Sequence, residues 1–345
     1  MNNAVFNQIR QFLEATDLAE SDWLAGLIAR KLDRLPAPGT GQTHARWQAL
    51  AAVAEFDLSL AKLYEGHTDA LAILAEVEPD TVRSESGAWG VWAAEAPGGK
   101  AIFESGNYSD SRDSKVYLRG SKCWCSGAAT ASHALLTAWR QDGRGPYLVR
   151  LELDQPSISI EASNWHAVGM RGSASLDVQF QGAIGYLVGR EGQYLARPGF
   201  WQGGAGVAVC WYGGAVGLAV SLRQAALTAD AAKRSPFMLA ALGKVDLALR
   251  ETTLVLQQSA AWIDTHPTAD AARVALLCRL SAEKTANLVL REVGKALGAA
   301  PFCRNRRFAK AAADLPVFIR QSHAEKDFVA SGEHTLHASD QPWQL

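Results

Sequence analysis

The chain has 345 residues, of which 48% are hydrophobic and 20% charged, with a formal net charge of −1 and an isoelectric point near 6.7. This composition is typical of a globular protein, and the near-neutral charge gives no reason to expect binding to nucleic acid or to an anionic membrane. No uncharged apolar stretch of about 18 residues predicts a membrane span, and the first residues lack the pattern of a secretory signal.

The five cysteines are scattered, and none has the spacing to a second cysteine or histidine that a zinc site requires. An odd number of unclustered cysteines favours a reduced protein over a disulfide framework. We therefore expect a cytoplasmic protein without a metal site. The cysteines are Cys123, Cys125, Cys210, Cys278 and Cys303.

Helical and extended patterns alternate along the chain in three blocks. Residues 1–85 are rich in helix formers, whereas 86–195 contain short runs of β-branched and aromatic residues separated by Gly, Ser, Asn or Pro. No long helical pattern separates these runs, so an antiparallel sheet is expected. Helical periodicity returns in 196–345, including one continuous helix predicted from 308 to 330. The sequence thus predicts an α+β protein with an N-terminal helical domain, a middle β-domain and a C-terminal antiparallel helical bundle.

Two compact Gly/Ser elements stand about fifty residues apart in the β-block. Residues 118–128 read LRGSKCWCSGA, and residues 169–180 read GMRGSASLDVQF, a turn followed by an alternating strand. In this order, between helical blocks, they resemble the middle β-domain of the acyl-CoA dehydrogenase family. The resemblance implies a β-barrel that carries a flavin, an FAD cofactor, and a position for that FAD between the β-domain and the helical bundle.

The segment 90–97, GVWAAEAP, resembles the family's strand that ends in an aromatic-Ala-x-Thr-Glu-Pro pattern. The resemblance assigns Trp92, Ala93 and Ala94 to the pyrimidine edge of the flavin. Ala94 stands where the family has a threonine hydroxyl, so backbone N–H groups would supply the hydrogen bonds. The alternative is an ordinary strand that ends in a proline turn.

The segment 122–127, KCWCSG, resembles the family's Gly-x-Lys-x-Trp-Ile-Thr-Asn segment. The resemblance implies that Trp124 packs on the flavin and that the Ser126 hydroxyl bonds its N5–O4 edge. Two alternatives remain open. Trp124 could be an ordinary core residue of the sheet, and Cys123 and Cys125 could form a redox pair, although nothing local would lower a thiol pKa.

Two matches lie in the C-terminal helices. Arg234 and Phe237 keep the family's Arg-x-x-Phe spacing, although Met238 replaces the glycine that follows. In the family this arginine reaches the FAD pyrophosphate of a neighbouring subunit, which implies a homodimer or homotetramer. Gly298 matches one glycine of a turn that approaches the cofactor, and its alternative reading is a helix C-cap.

Acyl-CoA dehydrogenation requires a carboxylate base, and the family positions for this base are not matched. The helix 206–215 has no carboxylate, and no Glu-Gly-Thr follows 303–307. Glu325 is the best remaining candidate and Asp314 a second, but Glu325 could equally lie on a solvated helix face. His323 is the alternative catalytic residue, because flavin monooxygenases of the same fold carry a histidine near this point.

The first expectation is an FAD-dependent oxidoreductase of acyl-CoA dehydrogenase type. It would act on a small-molecule substrate such as a CoA thioester and pass electrons to an electron-transfer flavoprotein. The alternative is a flavin monooxygenase of the same fold, which receives reduced flavin from a flavin reductase. A third possibility is a non-catalytic divergent relative.

Overall fold

The structure, a computed structural model, describes residues 4–79, 87–104, 114–230, 235–338 and 343. Within these ranges, four α-helices precede the first strand. Asp57 separates the last two because its extended backbone ends one helix while its carboxylate accepts the N–H of Leu60, at 2.8 Å, and so caps the next. The four helices are α1 (Ala4–Ala15), α2 (Trp23–Ala29), α3 (Thr43–Phe56) and α4 (Leu58–Val77).

Seven strands follow among the described residues, and no α-helix interrupts them in that part of the chain. Strands β4, β2, β3, β7 and β5 pair in that order, and β5 pairs back onto β4, so the sheet closes into a small barrel. The predicted antiparallel pairing is wrong at two places, because β1 and β2 both run parallel to β4. The strands are β1 (Trp89–Trp92), β2 (Ala101–Phe103), β3 (Lys115–Cys125), β4 (His133–Arg140), β5 (Tyr147–Glu152), β6 (Ile158–Glu161) and β7 (Leu176–Val188).

Helices return after the barrel and pack against α3 and α4. The expectation that no uncharged apolar stretch of membrane-spanning length occurs is wrong for the central helix α6, which is long and apolar enough to cross a membrane by length and composition, although 67% of its most apolar stretch is buried inside the protein. Gly213 allows this packing, because a Cβ there would overlap the backbone of Ala51 in α3. The helices are α5 (Gln193–Ala196), α6 (Gly199–Thr228), α7 (Pro236–Thr265), α8 (Ala272–Leu297), α9 (Ala300–Arg304), α10 (Arg306–Phe318) and α11 (Glu325–Leu336).

The single helix predicted from 308 to 330 is wrong. Helix α10 ends at Phe318, a 3-10 turn spans Ile319–Gln321, and Ala324 has φ +48° before α11 begins. The buried Arg279 of α8 donates to the Gln321 carbonyl at 2.6 Å and pairs with Asp327 at 3.4 Å. These two bonds stabilise the break between α10 and α11, because Gln321 precedes the break, Asp327 follows it, and both bond to Arg279 of α8.

A buried carboxylate connects the loop before β7 to α10. The N–H of Met170 donates to Asp314 Oδ1 at 2.6 Å, while Ser59 Oγ and Lys310 Nζ bond Asp314 Oδ2 at 3.3 and 2.9 Å. Burial opposes the charge of Lys310, but Asp57 and Asp314 outweigh it and raise its pKa. We call these five residues the Asp314 cluster.

Close contact accompanies these bonds. Gly169, which precedes Met170, lies so near α10 that a Cβ would overlap the carbonyl of Ala313. Met170 itself has φ +59°, a left-handed conformation that costs free energy in a residue with a side chain. The loop is therefore fixed by its contact with α10 and not by its own conformational preference.

We expect Asp314→Ala to lower the free energy of unfolding by about 3 kcal/mol. The substitution leaves the Met170 N–H without its buried acceptor and removes one of the two carboxylates that bond the Lys310 ammonium, which keeps Asp57. Urea denaturation of the variant and the wild type measures the difference.

Asp246→Ala is the matched control. Asp246 lies on the exposed face of α7 and pairs only with Arg250 of the same helix among the described residues, at 2.8 Å. Its loss should change the free energy of unfolding by less than about 0.5 kcal/mol. Equal effects of the two substitutions would contradict a stabilising role for the Asp314 cluster.

Candidate functional site

Trp124 lies at a bulge near the end of β3 and points out of the barrel. The pairing of β3 with β7 shifts register between Lys122 and Cys125, and Trp124 there has φ +58°. Its side chain is 59% exposed. A bulge redirects a side chain, and a left-handed backbone at a large residue is strained. The core-tryptophan alternative is therefore wrong for Trp124, whose indole forms an exposed aromatic surface.

Lys122 is fully buried and connects this bulge to the end of β1. Its ammonium group donates to the Ala94 carbonyl at 2.9 Å, to Glu95 Oε1 at 3.0 Å and to Thr137 Oγ1 at 2.8 Å. A buried ammonium requires such partners. The predicted pyrimidine-edge segment, Ala93 and Ala94, is thereby positioned beside the strand that carries Trp124.

Trp92 and Ser126 are also brought together. The Trp92 ring packs in the barrel core, and its Nε1–H donates to the Ser126 carbonyl at 3.1 Å. Trp92 thus supports Ser126 from inside the barrel, while the half-buried Ser126 hydroxyl points toward the next loop.

Three serine hydroxyls, which we call the serine chain, join that loop to the bulge. Ser126 Oγ lies 2.8 Å from Ser175 Oγ, which lies 3.0 Å from Ser173 Oγ. Ser173 Oγ donates to the Met170 carbonyl at 2.8 Å. The sequence placed Ser173 and Ser175 in a recognised Gly/Ser element but gave no role to their hydroxyls, since their contact with Ser126 joins residues 49 positions apart.

A cavity of about 320 Å³ opens beside the Trp124 ring. This volume lies at the lower end of the range for small-molecule sites. Within it, Asn164 Nδ2 donates to Asp177 Oδ2 at 2.9 Å, which fixes the carboxylate against the wall. The cavity is lined by Ala96, Pro97, Cys123, Trp124, Asn164, Trp165, Ser175, Leu176 and Asp177.

The environments of the Cys123 and Cys125 thiols at the bulge do not fit a redox pair. Burial raises the pKa of Cys125 strongly, and burial followed by the nearby Asp177 carboxylate raises the pKa of Cys123. Both thiols therefore remain protonated near neutral pH, and a protonated thiol is a poor nucleophile. The redox-pair alternative has no support from the environment of either sulfur.

The bundle residues lie elsewhere. Phe237 is 86% exposed at the start of α7, and Gly298 ends α8 with φ +64° and donates its N–H to Gly294 as a C-cap. Lys244 of α7 pairs with Glu292 of α8 at 3.2 Å, so these two helix ends are neighbours. Arg234 lies outside the described residues. No hydrogen bond, ion pair or ring contact in the described part of the chain joins Phe237 or Gly298 to Trp124.

Two of the three candidate catalytic residues near the C-terminus are exposed. Glu325 begins α11 on its solvent side, and the His323 side chain is 73% exposed with Nδ1 3.3 Å from Asp327 Oδ1. Asp314, the second candidate base, is buried and already accepts hydrogen bonds within its cluster. Among the described contacts, none connects these three side chains to Trp124.

No protein-family model and no curated protein matches the chain. Solved structures do match it along nearly its whole length. Dibenzothiophene monooxygenase TdsC from Paenibacillus sp. A11-2, in complex with FMN and indole, is 19% identical, with 96% of this chain and 95% of that chain covered and a TM-score of 0.75. Butyryl-CoA dehydrogenase from Megasphaera elsdenii is 14% identical, with 98% and 99% covered and a TM-score of 0.80.

KijD3 in complex with FMN and a dTDP-linked sugar is 15% identical, with 99% of this chain and 93% of that chain covered and a TM-score of 0.78. A dehydrogenase and a monooxygenase are among these proteins, so one architecture carries different reactions, and at this identity the likeness concerns architecture alone. The chain therefore has the acyl-CoA dehydrogenase fold, the fold that flavin monooxygenases share.

Proposed function

We propose that this protein is an oxidoreductase that binds a flavin against Trp124 and Ser126. The exposed Trp124 indole carries the proposal, because a strained backbone presents it at the mouth of a cavity large enough for a small ligand. The fold adds support, since TdsC and KijD3 are complexes with FMN on the same architecture.

The residues at the bulge fit a flavin ring. The Trp124 indole offers an aromatic face for stacking, Ser126 offers a hydroxyl, and the exposed backbone at Ala94 offers polar groups at the end of β1. A bound flavin would supply hydride or oxygen chemistry, and the protein would supply orientation and hydrogen bonds. The residues proposed to contact the ring are Ala93, Ala94, Trp124 and Ser126, whereas Trp92, predicted as a fifth, is buried and supports Ser126 from inside the barrel.

The flavin is proposed to be FAD, with FMN as the alternative. Arg234, whose spacing match includes Phe237, would reach the FAD pyrophosphate of a neighbouring subunit, which is why a homodimer or homotetramer belongs to this proposal, and Gly298 would let the backbone approach the cofactor. FMN lacks the adenosine half and would need none of these three residues. Release of the cofactor by denaturation, followed by chromatography, distinguishes the two flavins.

A monooxygenase-type reaction suits the geometry better than acyl-CoA dehydrogenation. A dehydrogenase base must reach a substrate proton next to the flavin, yet Glu325 is exposed and α6 carries no carboxylate. A monooxygenase receives reduced flavin from a reductase and reacts with oxygen, so it needs no such base. The proposed substrate is a small molecule in both cases.

We expect Trp124→Ala to weaken flavin binding about tenfold to a hundredfold. Stacking of a nucleobase-like ring on an aromatic side chain contributes on the order of 1–3 kcal/mol. Titration with FMN and with FAD, followed by flavin fluorescence, gives the dissociation constants. Trp343→Ala is the control, because Trp343 is another exposed tryptophan, and it should leave both constants unchanged. Equal affinities of wild type and Trp124→Ala would place the flavin elsewhere.

Acyl-CoA dehydrogenation remains the second candidate, favoured by the likeness to butyryl-CoA dehydrogenase. We expect an anaerobic panel of acyl-CoA thioesters to leave the bound flavin oxidised, because Glu325 is exposed on α11 and the carboxylate beside Trp124, Asp177, is bonded to Asn164. Visible absorbance records the oxidation state. Bleaching that is lost in Glu325→Gln, but kept in Glu333→Gln on the same exposed helix, would instead establish the dehydrogenase reaction with Glu325 as its base.

A further inference from the structure

The Met170 carbonyl, which is the acceptor at the end of the serine chain, determines the direction of every hydrogen bond in that chain. A hydroxyl has one proton to donate, and a carbonyl oxygen can only accept. Ser173 gives its proton to the Met170 carbonyl, so Ser175 must donate to Ser173. Ser126 must then donate to Ser175. When all three bonds form, the Ser126 oxygen has no proton left for any other partner and can only accept.

We propose that Ser173 and Ser175 make Ser126 a hydrogen-bond acceptor and that the site thereby selects reduced flavin over oxidised flavin. This inference rests on the proposed function, because it concerns the same site. It assigns Ser173 and Ser175 as positioning residues, which act through Ser126 and do not contact the ring.

The selection follows from the two forms of the flavin edge assigned to Ser126. In oxidised flavin N5 and O4 are both acceptors, so an acceptor-only serine leaves lone pairs facing each other. In reduced flavin N5 carries a proton and can donate to Ser126. When oxidised flavin binds, its N5 and O4 and the Ser126 oxygen lose their hydrogen bonds to water and gain none with each other. This loss disfavours the oxidised form.

The far end of the serine chain is rigid. The Met170 carbonyl also accepts the N–H of Ser173 at 3.0 Å, and the Met170 N–H is bonded to Asp314. The Ser173 carbonyl in turn accepts the N–H of Gly127, at 2.9 Å, next to Ser126. Because backbone bonds fix both ends, the chain cannot easily reverse its direction when a ligand binds.

This preference indicates the oxidation state in which the protein receives flavin from its partner. A site that prefers reduced flavin suits a protein that receives reduced flavin from a reductase. It suits less well a protein whose oxidised flavin must accept hydride from an acyl thioester. The serine chain therefore points to the same reaction class as the exposed position of Glu325, from an independent observation.

The midpoint potential of the bound flavin tests the proposal. We expect wild type to bind reduced FMN or FAD more tightly than the oxidised form, so that the bound potential lies above that of the free flavin. In Ser175→Ala the Ser126 proton becomes free to donate to oxidised flavin. The ratio of the two affinities should shift about tenfold toward the oxidised form, which is about 30 mV for a two-electron couple.

Ser173→Ala should lower the potential in the same direction, because it removes the acceptor that orders the chain. Ser159→Ala, an exposed serine of β6 in the same sheet, is the control and should leave the potential unchanged. Ser173 is buried whereas Ser175 is only half-buried, so Ser175→Ala gives the answer if Ser173→Ala does not fold.

Two failures are distinguishable. Flavin bound to Ser175→Ala with the wild-type potential would overturn the selection by the serine chain and leave the proposed function intact. A wild-type protein that binds neither oxidised nor reduced FMN or FAD would overturn the proposed function, and this inference with it.

Discussion

The buried carboxylate of Asp314 is the interaction on which the site depends. Its two oxygens accept hydrogen bonds from the Met170 N–H and the Lys310 ammonium, and so join the loop before β7 to helix α10. The bond from the Met170 N–H and the close approach of Gly169 to Ala313 hold Met170 in its left-handed conformation. The Met170 carbonyl then orders the serine chain, and the serine chain ends at Ser126 beside Trp124. A few hydrogen bonds thus connect helix α10 to the proposed flavin site.

A second constraint acts from inside the barrel. Lys122 is buried among three acceptors, and Trp92 donates to the Ser126 carbonyl. The segments on either side of Trp124 are therefore held by these bonds, and Trp124 between them has φ +58°. Strain concentrated at one exposed aromatic residue is typical of a binding site. The Trp92 ring itself lies in the barrel core, where its Nε1–H supports Ser126.

Local patterns predicted much of this structure. The change from helical to alternating periodicity predicted the order of helices and strands. Sequence patterns could not predict the parallel pairing of β1 and β2 with β4, which depends on barrel closure. They also missed the break at Ala324, which Arg279 stabilises from another helix, and the serine chain, whose bonds join distant segments. Each miss involves an interaction between residues far apart in sequence.

A crystal structure of the protein with reduced flavin tests the central claim most directly. The account predicts the flavin ring against the Trp124 indole, with the Ser126 hydroxyl oxygen within hydrogen-bonding distance of N5 and the three serine hydroxyls still in contact with one another. A flavin bound away from Trp124, or a serine chain opened by the bound ring, would contradict it.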